Sequence, residues 1–227
     1  MRQVENMYLE SLPFIIDKFI GFRDDPFSPN GFILVPNLSE NINLFFENEF
    51  KENEREFKKN KTLNSHVKFS SKLELKNLLK KNKTLQKVLN NYLIFPSFDT
   101  AYFFNTRYDG SASRRSQHWH HDSVGRRLKL FIAQRSDELP TLSIEGNDSR
   151  STTKWRAMDD DERKGYKPSG KVENICLSSK DAILMDTNYM HSGTVNNKVG
   201  IRNVLVIEYS NSLKSLCRGR VGKRNIP

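Results

Sequence analysis

The sequence is poor in the features that mark secreted and membrane proteins. Its two cysteines, Cys176 and Cys217, form no Cys-x-x-Cys pair, so a disulfide framework is not indicated. No apolar run approaches the ~20 residues that a membrane-spanning helix needs. Glu5 and Glu10 interrupt the N-terminal segment, and no small-residue cleavage site of a signal peptide follows it. We therefore expect a protein of the reducing cytoplasm without a membrane span.

Apolar residues are also scarce, at 36% of 227 residues, whereas charged residues make up 28%. The 15 Phe and 7 Tyr still offer enough apolar surface for one core, and the length fits a single domain. The net charge of +10 is compatible with a nucleic acid or with an anionic small molecule as partner. Because the lysines are spread along the chain rather than set in one stripe, a solvated basic surface is favoured. The sequence gives no indication of an oligomeric state.

Helical and strand patterns alternate over the first part of the chain. The predicted elements are an apolar helix over residues 7–20, a buried strand at Phe32–Val35, a helix capped by Ser39, and two helices between Leu73 and Leu93. The apolar side of the capped helix is predicted to carry Ile42, Leu44, Phe45 and Phe50. The charged residues 51–66 are predicted to form a solvated helix end and a loop.

From Ile94 onward the pattern becomes that of β-strands. Aromatic and β-branched runs recur at 100–108, 128–134, 141–144, 172–177, 182–185 and 201–209. With the segment around residue 120 they make at least seven strands, typical of a sandwich or barrel with helices packed outside. We expect one domain over residues 1–213, in which 1–93 supports a barrel formed by 94–213. Residues 214–227 are basic and contain no acid, and we predict a flexible tail there.

One short segment carries residue types suited to metal chemistry. His120 and Asp122 are two positions apart, so on a strand their side chains point to the same face. With His191 from a distant strand they would form the two-histidine, one-carboxylate set of non-heme Fe(II) oxygenases. An ordinary structural explanation stays open at this point, because short motifs also arise by chance. His118, His120 and His121 could form a polar loop, and His191 could be a core histidine.

A second candidate group is Arg202, which lies in the strand pattern of residues 201–209. Its planar guanidinium could clamp a dicarboxylate through two parallel charge-assisted hydrogen bonds. On a regular strand Arg202, Val204 and Val206 share a face, so the cation is predicted to enter an otherwise apolar interior.

Together these motifs resemble the phytanoyl-CoA dioxygenase-like branch of the Fe(II)/2-oxoglutarate oxygenases. The residues that carry the resemblance are 117–122, 186–196 and 200–202, with residues 30–49 similar to the family's N-terminal strand and helix. His191, Asn196 and Arg202 stand at the spacing of the family's distal His, Asn and Arg. The resemblance covers about residues 30 to 211 and implies a double-stranded β-helix, a jelly-roll barrel of the cupin kind, with flanking helices.

The resemblance further implies a metal site and a reaction. Fe(II) would be bound by His120, Asp122 and His191, with 2-oxoglutarate as co-substrate and O2 as oxidant. The 2-oxo acid would be decarboxylated to succinate and CO2 while a substrate C–H bond is oxidised. Related halogenases replace the carboxylate ligand by a small residue to admit halide. Because Asp122 fills that place, a hydroxylase or another C–H-oxidising enzyme is expected.

The co-substrate site implied by the resemblance centres on Arg202, which would bind the distal carboxylate of 2-oxoglutarate. In the family a hydroxyl often assists two residues after the distal His, but this chain has Gly193 there. Thr194 is the candidate replacement. Thr106 and Tyr102, on the strand that precedes the metal motif, are further candidates for this pocket.

The substrate expected from the resemblance is a small organic molecule, either anionic or linked to a carrier. Two other functions stay open. A nucleic-acid-demethylating oxygenase would share the metal motif, but that branch has a second arginine six residues after the clamp, where this chain has Glu208. A binding protein with a vestigial metal site would be expected to have lost part of the ligand set, which is complete here.

Overall fold

The computed structural model describes residues 25–59, 62–93, 96–108, 117–122, 127–135, 142–146, 159–177, 181–193 and 200–211. Several predictions fall outside these residues and stay predictions. They concern the helix at 7–20, the basic tail at 214–227, Thr194 and Asn196.

The described part of the chain contains nine strands in two antiparallel sheets. The strands are β1 (Phe32–Val35), β2 (Thr62–His66), β3 (Pro96–Tyr108), β4 (Arg127–Arg135), β5 (Leu142–Glu145), β6 (Val172–Ile175), β7 (Ala182–Asp186), β8 (His191–Ser192) and β9 (Gly200–Asn211). The larger sheet has the order β1-β7-β4-β9-β3-β2, and the smaller sheet has the order β6-β5-β8. The result is a mainly β, jelly-roll-like arrangement with flanking helices, in agreement with the predicted class.

Four helices accompany the sheets within the described ranges. They are α1 (Leu38–Lys59), α2 (Phe69–Lys81), α3 (Lys83–Tyr92) and the short α4 (Asp160–Gly165). The two helices predicted between Leu73 and Leu93 are confirmed as α2 and α3. No described helix combines the length and the apolar character needed to cross a membrane.

The two faces of the larger sheet have different composition because side chains alternate along each strand. One face is apolar and packs against the helices. There the Phe103 ring lies 5.9 Å from Phe46 and 5.0 Å from Phe50 of α1, both edge-to-face. The opposite face, called the inner face below, carries a mixture of apolar and charged side chains. Its members include Tyr102, Phe104, Thr106, Arg127, Lys129, Phe131, Arg202, Val204, Val206 and Glu208.

Helix α1 differs from its prediction in three respects. It starts at Leu38, so Ser39 lies inside it and is not its cap. The Ser39 hydroxyl instead donates to the carbonyl of Ala133 in β4, at 3.2 Å. On the apolar side Leu44 and Phe45 are exposed, and the core residue is Phe46, which follows Ile42 and precedes Phe50 at four-residue spacing.

The prediction of a solvated helix end and a loop over residues 51–66 is confirmed for the helix and wrong for the loop. Helix α1 continues to Lys59, and Thr62–His66 pairs with β3 as an edge strand. The helix tolerates its charge because Lys51 and Glu47 pair four residues apart on the exposed side, and Glu54 pairs with Arg135 of β4. The backbone ladder with β3 makes β2 a strand despite its polar sequence.

The packing of α1 on the sheet predicts a large difference between two phenylalanines. Phe50 is fully buried and Phe69 is 86% exposed. Phe50→Ala should lower the free energy of unfolding by about 3–5 kcal/mol, because it removes a ring and leaves a cavity against Phe103. Phe69→Ala is the matched control and should change it by less than about 0.5 kcal/mol. Urea unfolding followed by circular dichroism measures both, and similar values would contradict this packing.

Candidate metal site

The two histidine segments of the candidate site are joined by one antiparallel bridge. The N–H of His120 donates to the carbonyl of His191, and the N–H of His191 donates to the carbonyl of His120, both at 2.9 Å. The predicted strand around residue 120 is therefore reduced to a single bridge at the edge of the smaller sheet, next to β8. The N–H of Asp122 donates to the carbonyl of Thr187 at 3.0 Å, which fixes the third residue beside the same turn.

This pairing brings the three predicted ligands together. One donor atom from each of His120, Asp122 and His191 lies within 4.8 Å of the other two. The His120 Nε2 and Asp122 Oδ1 atoms are 3.9 Å apart, and the two imidazole centroids are 4.4 Å apart. Two ligands at about 2.1 Å from one ion are up to about 4 Å apart. Small side-chain adjustments would let a single metal ion contact all three.

The orientation of both imidazoles is set by their own backbone. Nδ1 of His120 lies 2.8 Å from the carbonyl oxygen of His118, and Nδ1 of His191 lies 2.8 Å from that of Tyr189. Since a carbonyl oxygen can only accept, Nδ1 carries the proton in each ring. The lone pair of each neutral ring is therefore on Nε2, which is the usual arrangement of a metal-binding histidine.

The protonation state of these rings also suits a metal. Burial lowers the pKa of His120 to about 3 and that of His191 to about 4. Nearby charges lower the pKa of His120 further through His191 and Arg163 and that of His191 through Lys129, whereas Asp122 raises both. Both imidazoles are therefore neutral at physiological pH, and a metal ion would not have to displace a proton.

The turn that carries His191 is fixed by the buried carboxylate of Asp186. Its Oδ2 accepts from the Tyr92 hydroxyl at 2.6 Å, and its Oδ1 accepts from the backbone N–H and side-chain amide of Asn188 at 3.0 and 2.8 Å. The N–H of Asp186 donates to the carbonyl of Gly31 at 3.0 Å. Gly31 has a φ of 82°, and a Cβ there would lie 2.7 Å from the Tyr189 ring. A glycine is thus required where β1 meets this turn.

The third ligand, Asp122, belongs to a set of largely buried charged and polar side chains whose contacts sequence reasoning missed. We call this set the inner-face ionic cluster, and it consists of Tyr102, Asp122, Arg127, Lys129 and Glu208. The Lys129 Nζ lies 2.6 Å from Asp122 Oδ2 and 3.8 Å from Glu208 Oε1. Arg127 donates to Glu208 Oε2 in a short ion pair, and the Tyr102 hydroxyl lies 3.4 Å from Glu208 Oε1.

The cluster keeps Asp122 and Lys129 charged. Burial alone would raise the pKa of Asp122, but the charge of Lys129, together with His191 and Arg127, holds it well below its ordinary range. Burial alone would lower the pKa of Lys129, but Asp122, Tyr102 and Glu208 raise it above its ordinary value. Asp122 is therefore a carboxylate, and Lys129 an ammonium ion, at neutral pH.

The alternation of apolar and charged residues along β4 could have indicated this cluster from the sequence. Leu128, Leu130 and Ile132 are apolar and buried on the helix side. Arg127 and Lys129 must then point to the opposite face, where the metal-binding residues were expected. Which carboxylates they meet could not be predicted, because that depends on the register that places Lys129 opposite Glu208.

Arg202 and Thr106 are also brought together, as residues directly opposite each other on β9 and β3. Both are buried, and the Arg202 guanidinium lies 5.5 Å from the Phe104 ring centroid. The Thr106 hydroxyl has no hydrogen-bond partner among the described residues. A buried hydroxyl beside a buried guanidinium fits a ligand that brings oxygen acceptors. Tyr102 lies four residues from Thr106, and its hydroxyl approaches Glu208 instead.

Two other residues of the segment around His120, namely His121 and Trp119, contact groups other than the ligand atoms of the candidate metal site. His121 is buried, and its Nδ1 lies 2.6 Å from the carbonyl oxygen of Asp122. Trp119 is half-buried, with its ring 6.4 Å from that of Tyr166. Tyr166 in turn donates to Glu145, whose Oε1 also accepts from the N–H groups of Ser169 and Gly170 at 2.7 and 2.5 Å. Glu145 thereby fastens the segment around α4 beside the metal motif, a role that no sequence pattern indicated.

Comparisons with known proteins agree with this architecture. The sequence matches no protein-family model, and no curated protein sequence is similar enough to match it. Solved structures do share the fold. HygX from Streptomyces hygroscopicus, in a crystal structure with nickel and 2-oxoglutarate bound, superposes with a TM-score of 0.56 at 12% identity, covering 82% of this chain and 84% of HygX.

Two further structures extend this likeness. AviO1 from Streptomyces viridochromogenes Tue57 gives a TM-score of 0.55 at 15% identity over 86% of this chain and 95% of AviO1. SnoN, a non-heme alpha-ketoglutarate-dependent epimerase from nogalamycin biosynthesis, gives a TM-score of 0.55 at 12% identity over 82% of this chain and 80% of SnoN. At these identities the likeness establishes the fold, and the chemistry has to be argued from the site.

The lowered histidine pKa values predict a loss of stability in acid. The unfolded chain takes up protons at these histidines near pKa 6.5, whereas the folded metal-free protein does so only near pKa 4 and 3. The stabilising contribution of the neutral histidines is therefore fully present above pH ~6.5 and is lost as pH falls below it, by up to about 1.4 kcal/mol per pH unit for each histidine.

Urea unfolding of the metal-free protein at about pH 7.5 and about pH 5 measures this loss. A variant with His120→Asn and His191→Asn should lose clearly less stability over the same interval. His66→Asn, at an exposed position on β2, is the control and should lose as much as the parent. An equal loss in the double variant would assign the acid sensitivity to other groups.

Proposed function

We propose that this protein is an Fe(II)- and 2-oxoglutarate-dependent oxygenase of the phytanoyl-CoA dioxygenase-like family. The observation that carries the proposal is the grouping of two neutral imidazoles and one carboxylate. His120 and His191 both present Nε2, and Asp122 supplies a carboxylate, within 4.8 Å of one another. Two histidines and one carboxylate with open positions are the donor set of non-heme Fe(II) oxygenases.

The topology supports a double-stranded β-helix as the scaffold. The strands β3, β9, β4 and β7 lie side by side in the larger sheet, and β6, β5 and β8 in the smaller sheet, with His120 bridged to the outer edge of β8. From β3 to β9 the chain thus passes repeatedly between the two sheets, with one hairpin, β5–β6, inside the smaller sheet. HygX, AviO1 and SnoN share this fold, and HygX has been crystallised with iron and with nickel and 2-oxoglutarate.

The co-substrate would be bound by Arg202 with Thr106. A guanidinium offers two parallel hydrogen bonds to a carboxylate, and the neighbouring hydroxyl can donate a third. Both side chains are buried on the inner face, where water competes little for the bound anion. Thr194 and Tyr102 remain proposals for this pocket, Tyr102 a weaker one because its hydroxyl approaches Glu208.

When bound, iron together with 2-oxoglutarate and O2 supplies the oxidising power for a substrate C–H bond, and succinate and CO2 are released. The residues of the chain bind and orient. His120 and His191 hold their Nδ1 protons on backbone carbonyls, so both rings are fixed before a metal arrives. Phe104, Val204 and Val206 line the inner face between Arg202 and Glu208 and exclude water from it.

We propose hydroxylation of a small organic substrate as the reaction. SnoN is an epimerase and SnoK a carbocyclase of nogalamycin biosynthesis, so one fold supports different outcomes of C–H oxidation. HygX binds the small molecule hygromycin B in one of its structures. The intact ligand set supports hydroxylation over halogenation, because Asp122 leaves no place for a halide.

An anionic substrate group is supported by the charges of the inner face. Among its described side chains, Arg127, Lys129 and Arg202 are positive, and Asp122 and Glu208 are negative. A divalent ion and a dianionic co-substrate cancel each other, so one positive charge remains among these five side chains. Glu208 lies within this balance, which argues against a nucleic-acid-demethylating site built around that position.

The ligand assignment predicts the effect of three substitutions. His120→Ala, Asp122→Ala and His191→Ala should each weaken Mn(II) or Fe(II) binding by at least about a hundredfold, because each removes a donor atom, and should abolish succinate formation. His66→Ala at an exposed position is the matched control and should bind metal as the parent does. Anaerobic metal titration with circular dichroism as a folding check makes the measurement. Undiminished metal binding in any of the three would remove that residue from the site.

The co-substrate assignment predicts a specific weakening in Arg202→Lys. Lysine keeps the charge and loses the two-pronged geometry, so the affinity for 2-oxoglutarate should fall roughly tenfold to a hundredfold, with iron binding unchanged. Arg107→Lys, an exposed arginine on β3, is the control. Titration of 2-oxoglutarate into the anaerobic Fe(II) protein, followed by the metal-to-ligand absorption band, gives the affinities. Equal affinities in parent and Arg202→Lys would exclude Arg202 from the co-substrate site.

A further inference from the structure

The two carboxylate oxygens of Asp122 have different partners. Oδ1 lies 3.9 Å from Nε2 of His120, within the donor set of the candidate metal site. Oδ2 lies 2.6 Å from Nζ of Lys129, in an ion pair. One oxygen is thus directed to the metal position, and the other is held by a cation.

The position of Lys129 in the sheet holds its ammonium group beside Oδ2 of Asp122. Lys129 lies in β4, in the middle of the larger sheet, opposite Met185 of β7 and Glu208 of β9. Its ammonium group also lies 3.8 Å from Glu208, which is held in turn by Arg127. The ammonium group therefore lies between two carboxylates. Its backbone is fixed by strand pairing on both sides, and its charge is stabilised by these two carboxylates.

We propose that Lys129 is a positioning residue that reserves Oδ2 of Asp122, so that the carboxylate offers a bound metal ion one oxygen instead of two. The inference rests on the proposed function, because it concerns the ligands of the proposed iron site. It assigns a role to a residue that belongs to neither the ligand set nor the co-substrate site.

The role has a consequence for co-substrate binding. A carboxylate that binds through both oxygens occupies one more position on the metal than a carboxylate that binds through one. The proposed reaction needs these positions for a chelating 2-oxo acid and for O2. By holding Oδ2, Lys129 keeps a position open. The same ammonium ion repels the metal and weakens the carboxylate as a ligand, so it favours co-substrate binding at the expense of metal affinity.

The opposite effects of Lys129 on metal affinity and on 2-oxoglutarate affinity distinguish a positioning role from a merely structural one. If Lys129 only stabilised the fold, Lys129→Met would weaken the binding of metal and of 2-oxoglutarate together. If it reserves Oδ2, the two affinities should move in opposite directions. Lys129→Met should bind Mn(II) about tenfold more tightly, and its Fe(II) form should bind 2-oxoglutarate about tenfold more weakly.

The experiment uses the full-length protein and three matched variants. Lys129→Arg keeps a cation beside Oδ2 and should restore both affinities to within about threefold of the parent values. Lys171→Met is the control, because Lys171 is exposed and pairs with Glu173, and it should behave as the parent. Anaerobic Mn(II) titration by electron paramagnetic resonance gives the metal affinity, and the Fe(II) absorption band gives the 2-oxoglutarate affinity.

Glu208→Gln provides a test that does not require Lys129→Met to fold. It removes the second carboxylate from the ammonium ion and leaves Asp122 as its partner, so Mn(II) binding should weaken while 2-oxoglutarate binding is retained. Unchanged or tighter Mn(II) binding in this variant would overturn the inference.

The outcomes separate this inference from the proposed function. A parent protein that binds neither Mn(II) nor 2-oxoglutarate would overturn both. A parent that binds both ligands, with Lys129→Met either equal to it or weaker for both, would overturn the role of Lys129 alone. Tighter Mn(II) binding together with weaker 2-oxoglutarate binding in Lys129→Met, with both affinities restored in Lys129→Arg, would establish the role of Lys129.

Discussion

The candidate site depends on one antiparallel bridge between His120 and His191. Its two backbone hydrogen bonds join segments that are far apart in the chain and set both rings 4.4 Å apart. Because each Nδ1 is tied to a carbonyl two residues earlier, the bridge also fixes the direction of both Nε2 atoms. Ligand geometry is therefore a property of the backbone here. The buried carboxylate of Asp186 secures the turn behind it, so a metal site can be assembled before any metal is present.

The inner face buries charge at a cost that only close pairing can offset. An ammonium ion, a guanidinium and two carboxylates lie in the inner-face ionic cluster, and removal of one member would leave another without its counter-charge. Buried ion pairs contribute little net stability compared with well-packed apolar residues of similar size. Their value here is positional, because the Lys129 ammonium group lies beside one oxygen of Asp122 and close to Glu208. The larger sheet supplies the rigidity that this requires, since β4 is paired on both sides.

Sequence patterns predicted those features that depend on local alternation. The strands β3, β4, β5, β6, β7 and β9 follow from aromatic and β-branched runs, whereas the two-residue β8 does not. The structure brings His120 and Asp122 together although their segment forms only one bridge. The errors arose where tertiary contacts override local preference. Ser39 binds the carbonyl of Ala133 instead of capping its helix, and polar β2 becomes a strand by pairing with β3. Lys129 could be assigned to the inner face, but its pairing with Asp122 required the three-dimensional structure.

The fold requires residues of a given class, such as apolar residues, at many positions. The site requires one particular residue at each of a few positions. An apolar helix-facing surface and an alternating inner face can be built from many combinations of Val, Ile, Leu and Phe. This explains how structures 11–15% identical to this chain share its architecture. The chemistry requires far fewer positions, namely two histidines, a carboxylate, an arginine and, by our inference, a lysine. Such a sparse set leaves little for a sequence comparison to detect. A comparison of inner faces, residue by residue, is therefore the more informative way to ask which of these proteins share a reaction, because by our proposal that face holds the co-substrate site and the charges beside the metal ligands.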